Sequence, residues 1–218
     1  LEEPPKHVIF ILATTELDKV PDTIISRCQT FSFKTPSREV LRKQVSMIAK
    51  KEGYELDAGA SDLIALLGDG SFRDALGMLE KVISSSADKK LSRTEVEAIT
   101  GAPRAELVNS FIDALISKNG DQALLRISET VSSGVSMATF STLILEKMRF
   151  ILLLQHSASS NVTIKERVSD DDWSFIETQA GKKSVTPGML ATLLEAADGI
   201  GRARIEALPL ELAVVKIC

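Results

Sequence analysis

Only one stretch of this chain has the make-up of a strand buried on both faces. From His7 the residues Val8-Ile9-Phe10-Ile11-Leu12-Ala13 form an unbroken apolar run, closed by the turn formers Thr14, Thr15 and Glu16. Runs of this kind belong to parallel sheets covered by helices on both faces. Such a sheet needs several strands, yet the only other β candidate is Thr30-Phe31-Ser32-Phe33. The expectation is that residues 1–35 are the tail of an α/β domain whose other strands lie upstream of Leu1, and that this tail cannot fold alone.

From Ser37 onward the apolar period becomes helical. Leu41, Val45 and Ile48 make one stripe that stops at Gly53, and Leu63, Leu66 and Leu67 mark a shorter helix ending at Gly68-Asp69-Gly70. Ser71 with Asp74, and Ser92 with Glu95, have the spacing of capping boxes that open two further helices. The first of these carries Leu76, Leu79 and Ile83; the second stops at Gly101, and the polar stretch from Ser84 to Lys90 between them reads as a loop. Beyond Gly101 the predicted helices are longer. One follows Pro103 with Leu107, Phe111 and Leu115 and ends at Asn119-Gly120, and another covers about 121–133. The most apolar helix spans 137–155 with Phe140, Ile144, Met148 and Ile151 on one face, so it belongs at the centre of a bundle that Trp173 closes. Helices starting at Thr186-Pro187 and Pro209 complete a mainly α chain.

Composition narrows the functional classes. The 218 residues are 44% hydrophobic, enough for packed cores, and 26 basic against 30 acidic residues leave no segment with a cationic excess for binding nucleic acid unaided. Cys28 and Cys218 supply neither a disulfide framework nor a four-thiolate zinc site, which suits a reducing compartment, the cytoplasm by default. The longest strongly apolar stretch, Phe150 to Leu154, falls far short of the roughly twenty residues of a membrane span, and Leu1 opens no signal pattern.

Three places carry candidate chemistry. Arg73 sits in the first turn of its helix, where free N–H groups already favour an anion and a cation is misplaced unless something negative binds there. An ordinary solvated arginine paired with Asp69 or Asp74 satisfies the residue type equally. Arg27, between Ile24-Ile25-Ser26 and Cys28, can reach either a carboxylate or a phosphate with its planar fork. Thr14 and Thr15 stand at the C-terminal end of the strand-like run, the edge where α/β sheets bind ligands, or else form a plain strand-end turn.

Other patterns fail on spacing. Gly181-Lys182-Lys183-Ser184 has Ile176 where a phosphate-binding loop needs its first Gly, and Gly199-Ile200-Gly201 has Arg204 in place of a third Gly. His7 and His156 lack metal-ligand or triad spacing, and Asp170-Asp171-Asp172 lacks the rest of a calcium loop and reads as a capping, solvated run.

As an ordered set, Ile11-Leu12-Ala13-Thr14-Thr15-Glu16, Ile25-Ser26-Arg27-Cys28 and Gly70-Ser71-Phe72-Arg73-Asp74-Ala75-Leu76 resemble AAA+ clamp-loader ATPases. Glu2-Glu3-Pro4-Pro5 and Leu208-Pro209-Leu210-Glu211-Leu212-Ala213 narrow the resemblance to the gamma/tau family of bacterial DNA polymerase III, a nucleotidyltransferase assembly of DNA replication. The resemblance implies a fold of three parts: the end of an AAA+ α/β domain over 1–35, a helical lid over 36–100 and a helical collar for oligomerisation over 101–218. It implies that Thr15 is the sensor 1 residue, with Thr14 beside it, and that Arg73 is a sensor 2 arginine on the ATP γ-phosphate. Arg27 is implied to act in trans as an arginine finger on a neighbouring subunit's ATP. The partners implied are other clamp-loader subunits in a ring, a sliding clamp and primer-template DNA, and not a membrane. ATP with Mg²⁺ and a zinc module belong to the intact protein. Their phosphate-binding loop, acidic motif and cysteines have no match in this chain, which should not hydrolyse ATP alone. A helical adaptor without a nucleotide role, or a different clamp-loader subunit, is the alternative reading.

Overall fold

A computed structural model of the chain describes residues 5–157, 164–165 and 168–218. Leu1 to Pro4, which include most of the opening Glu-Glu-Pro-Pro motif, lie outside the described residues. The chain divides after Thr35 into two compact units.

Within the first unit the regular elements are a 3₁₀ turn, Leu17–Lys19, and one short helix, α1 (Asp22–Ile25), that starts after Pro21. The expected strand over 8–13 does not form, and neither does the candidate at 30–33: no strand occurs among the described residues of this unit. Ile9 and Ile11 are 88% and 89% exposed, and Phe33 is 94% exposed. The reason is elementary. A strand is held by hydrogen bonds to a neighbour, and high apolar content cannot supply that neighbour.

The second unit is helical: α2 (Arg38–Lys51), α3 (Ala58–Leu67), α4 (Phe72–Ser85), α5 (Arg93–Thr100), α6 (Ala105–Ile116), α7 (Gly120–Ser132), α8 (Met137–His156), α9 (Asp170–Lys182), α10 (Pro187–Ile200) and α11 (Leu208–Ile217). Two strands of two residues, β1 (Glu55–Leu56) and β2 (Lys90–Leu91), pair in parallel and tie the start of α3 to the start of α5. The second begins at Lys90, the last residue of the stretch read as a loop.

Local chemistry explains where the helices begin. Side chains of Ser37, Asp57, Ser71, Ser92, Asn119, Ser136, Ser169 and Thr186 each accept a first-turn backbone N–H. Ser92 and Glu95 form the full capping box. At Ser71 only half of one exists: its hydroxyl accepts the Asp74 N–H at 3.2 Å, and the return bond is missing because aspartate is one methylene shorter than glutamate. Asn119 and Gly120 do not end α6 as expected but start α7, since asparagine is as good an N-cap as a turn former.

Packing sorts these helices into two groups. In the first, α2 packs on α3 and α4, and α3 and α4 pack on α5; in the second, α8 is the hub for α6, α9 and α10, while α11 lies on α10 and α7. Phe111 of α6 and Phe140 of α8 meet edge to face with ring centroids 5.4 Å apart. Leu41, Leu63, Leu79, Ile144 and Ile151 are all fully buried, each contributing on the order of 1.5–3 kcal/mol. The core runs through both groups. Among the described residues, however, no helix of the first packs extensively on a helix of the second. No described helix is long and apolar enough to cross a membrane.

Two measurements test this account. A methyl group on Gly68, at the end of α3, would lie 2.6 Å from the Ala75 Cβ and 2.9 Å from its Cα in α4, so Gly68→Ala is expected to lower the stability read by urea unfolding by about 1–3 kcal/mol. The second concerns Glu95, which accepts from the backbone N–H and hydroxyl of Ser92 and is thereby held below the usual glutamate pKa of 4.5. Between the two values the unfolded chain binds the extra proton. The stabilisation is therefore complete above about pH 4.5 and lost as pH falls through the folded value. The stability gap between wild type and Glu95→Gln should narrow on acidification and stay constant between pH 6 and 8.

Candidate functional site

Arg73 is the second residue of α4, one position beyond the turn that separates α3 from α4. That turn reverses the chain through two left-handed residues, Asp69 (φ 41°) and Gly70 (φ 79°), the second of which is easily tolerated only by glycine. Ser71 then caps the helix. Arg73 is exposed and makes no hydrogen bond or ion pair among the described residues, so the pairing with Asp69 or Asp74 that its neighbours allow does not form. A bare guanidinium is thus held beside the positive end of a fourteen-residue helix, a place that favours an incoming anion.

The other predicted residues lie in the first unit. Thr14 and Thr15 are exposed, and the Thr14 hydroxyl accepts the Glu16 N–H at 3.0 Å, forming a local turn. Arg27 is exposed and its Nη1 donates to the Thr23 carbonyl at 2.7 Å, closing the last turn of α1. Cys28 beside it is a free, exposed thiol.

Motifs rejected on spacing also fail on placement. Gly181 and Lys182 form the last turn of α9 and Lys183 adopts a left-handed conformation at its C-terminus, the negative end of a helix and the wrong one for a phosphate. Gly199 and Gly201 sit at the end of α10. Among the described residues no group of three or more His, Cys, Asp or Glu could hold a metal ion.

One expectation is overturned. Asp170 and Asp171 are exposed in the first turn of α9, but Asp172 is buried, 1% exposed, because the helix turns that position inward. There it joins two cations: Arg93 Nη1 donates to its Oδ2 at 2.7 Å, and Lys147 Nζ to its Oδ1. Lys147 also donates to Asn109 Oδ1 at 2.6 Å, and Arg93 Nε to Glu97 Oε1 at 2.8 Å. Burial pulls the Lys147 ammonium below the usual lysine range against the opposing pull of Asp172. Burial also pushes the Glu97 carboxyl up, opposed by Arg93. For Arg93, burial acts to lower the pKa but Asp172 and Glu97 outweigh it.

A second group lies nearer the surface, where Arg38 of α2 binds Asp62 of α3 and, at 2.6 Å, Glu146 of α8. Sequence reasoning missed both groups. The signal was available at Lys147, which falls three residues after Ile144 and four before Ile151, on the apolar stripe of α8.

Comparison with known proteins gives the chain its relatives. It is 33% identical to the DNA polymerase III subunit tau of Bacillus subtilis over 222 residues, covering 100% of this chain and 38% of that protein. It is 33% identical to the tau subunit of Escherichia coli over 73% of this chain, and 36% identical to the gamma/tau subunit of Mycoplasma genitalium over 64%. The chain thus spans between about a quarter and two fifths of the length of these relatives. The family model described as DNA polymerase III, delta subunit matches residues 1–37. Among solved structures, the Bacillus subtilis DNA clamp loader delta protein aligns over 94% of this chain and 63% of its own, with a TM-score of 0.44 and 12% identity.

The charge cluster makes a direct prediction. Asp172→Ala leaves Arg93 and Lys147 buried with too little negative charge, and is expected to cost about 3–5 kcal/mol in denaturant unfolding. Adding Lys147→Met should recover a large part of that loss, because the uncompensated cation is then removed.

Proposed function

From similarity over the whole chain to a tau subunit of DNA polymerase III, and over 64% of it to a gamma/tau subunit, we propose that the chain acts within a clamp loader, a ring of subunits that uses ATP to place a sliding clamp on primed DNA. Arg73 is the observation that carries this reading. It is exposed, unpartnered among the described residues, and held in the first turn of a capped helix where a terminal phosphate would be attracted by both the guanidinium and the helix end.

In this reading Arg73 contacts the γ-phosphate of ATP bound to its own subunit, and Thr15 orients the attacking water. Thr14 is the weaker candidate because its hydroxyl is already engaged by the Glu16 N–H. Arg27 reaches ATP on the adjacent subunit, so hydrolysis depends on a closed ring. Its exposure just beyond a short helix suits a group that must enter a neighbour's site. These residues supply cationic and hydroxyl contacts to phosphate. ATP brings the scissile phosphoanhydride, and Mg²⁺ would be held by residues outside those matched here. Assembly runs through the helices beyond Gly101, and contact with DNA is shared across the ring, consistent with the absence of a basic excess in this chain. The match of residues 1–37 to the delta-subunit model favours a second reading as a different clamp-loader subunit, against which stand Thr15 and Arg73.

The test is made in the full-length subunit assembled with its partners. Arg73→Ala should weaken ATP binding by the subunit. Arg27→Ala should leave binding intact and reduce DNA-stimulated hydrolysis by roughly 10³-fold, the scale of arginine fingers in related phosphoryl transfer. Clamp loading that survives both substitutions unchanged would replace this reading with that of a helical adaptor.

A further inference from the structure

The helix group that carries Arg73 and the group built on α8 share a core but little helix-on-helix packing. Two ionic contacts cross between them. Arg38 of α2, only 20% exposed at its side chain, grips Glu146 of α8; Arg93 of α5, 11% exposed, grips Asp172 of α9. Glu97 of α5 accepts from Arg93 Nε at 2.8 Å and so holds the guanidinium that reaches across to Asp172. At the same seam the backbones come close: a Cβ built on Gly59 of α3 would lie 3.3 Å from the Ser169 Cβ at the cap of α9, and the Arg93 side chain lies against it at 3.1 Å.

This arrangement has a mechanical meaning. Dispersion has no preferred direction, so apolar contacts specify a relative placement less sharply than ionic ones. Bidentate or paired ionic contacts in a dry setting do not slide, since a displacement of an ångström or two leaves buried charge unpaired. Both clasps fix the first group to the second at separate points, α2 to α8 and α5 to α9, and two separated points suppress translation and every rotation except that about the line joining them.

We propose that Glu146 and Asp172 are positioning residues: through Arg38 and Arg93 they lock the helix group bearing Arg73 onto the α8 bundle, so that the bundle sets where Arg73 stands. The consequence for ATP rests on the reading of Arg73 given above; the lock itself does not. Neither carboxylate touches nucleotide. Each acts only through the arginine that it holds.

Pulsed electron paramagnetic resonance on the full-length subunit tests the lock without nucleotide. Spin labels are placed at Glu80→Cys on α4 and Ser128→Cys on α7, both exposed positions, with Cys28→Ser and Cys218→Ser removing the exposed thiols of this chain and the unlabelled-site protein measured as background. One narrow distance distribution is expected for the otherwise native chain. Glu146→Gln, which leaves Arg38 its Asp62 partner and is the variant that best preserves the fold, should broaden it, and Asp172→Asn should broaden it further. In unlabelled protein the same substitutions should weaken ATP binding by about tenfold, the effect of losing one charge-assisted contact. An unchanged distance distribution in both carboxylate variants overturns the lock. A broadened distribution with unchanged ATP affinity overturns the positioning role, provided Arg73→Ala weakens binding. If Arg73→Ala itself leaves ATP affinity unchanged, the nucleotide reading fails while the distance result still judges the lock.

Discussion

A buried carboxylate between two buried cations governs the architecture of the helical unit. Asp172 satisfies Arg93 and Lys147 at once, and each cation has a second polar partner, Glu97 or Asn109. The residues come from α5, α6, α8 and α9, so four helices must take up one relative placement for the charges to cancel. An apolar core of the same volume would accept several placements of similar energy. A charge cluster of this kind contributes little net stability and acts by penalising every other arrangement.

The helices themselves are legible in the sequence because their signals are local. Ser37, Ser92 and Thr186-Pro187 announce starts within one turn of the residues that they cap, and the stripe of α8 marks it as central before any contact is known. Where a local signal is ambiguous, the reading slips, as at Asn119-Gly120, or rotates slightly, as in α4, where Ala75, Leu79 and Val82 are buried while Leu76 and Ile83 lie at the edge. The paired strands at Glu55–Leu56 and Lys90–Leu91 are beyond such reasoning, since two residues carry no period and their pairing joins distant positions.

The candidate site divides along the same line. The awkward cation of Arg73 can be read from a capped helix start alone, because its cause is the helix that it begins. Asp172 cannot be read that way: its neighbours Asp170 and Asp171 are solvated, and only the tertiary approach of Arg93 and Lys147 distinguishes it. The strand expected over 8–13 fails for a related reason, since a sheet is a relation between segments and apolar composition states only one side of it.

The spacing of the ionic partners also sets an order of events during folding. Most helices begin on their own caps and pack on sequence neighbours, contacts that close over short loops and form early. Arg93 and Asp172 are 79 positions apart, and Arg38 and Glu146 are 108 apart. On a chain emerging from the ribosome, α2 to α5 can therefore be complete with Arg38 held only by Asp62 and Arg93 only by Glu97, and the clasp closes only when α8 and α9 arrive.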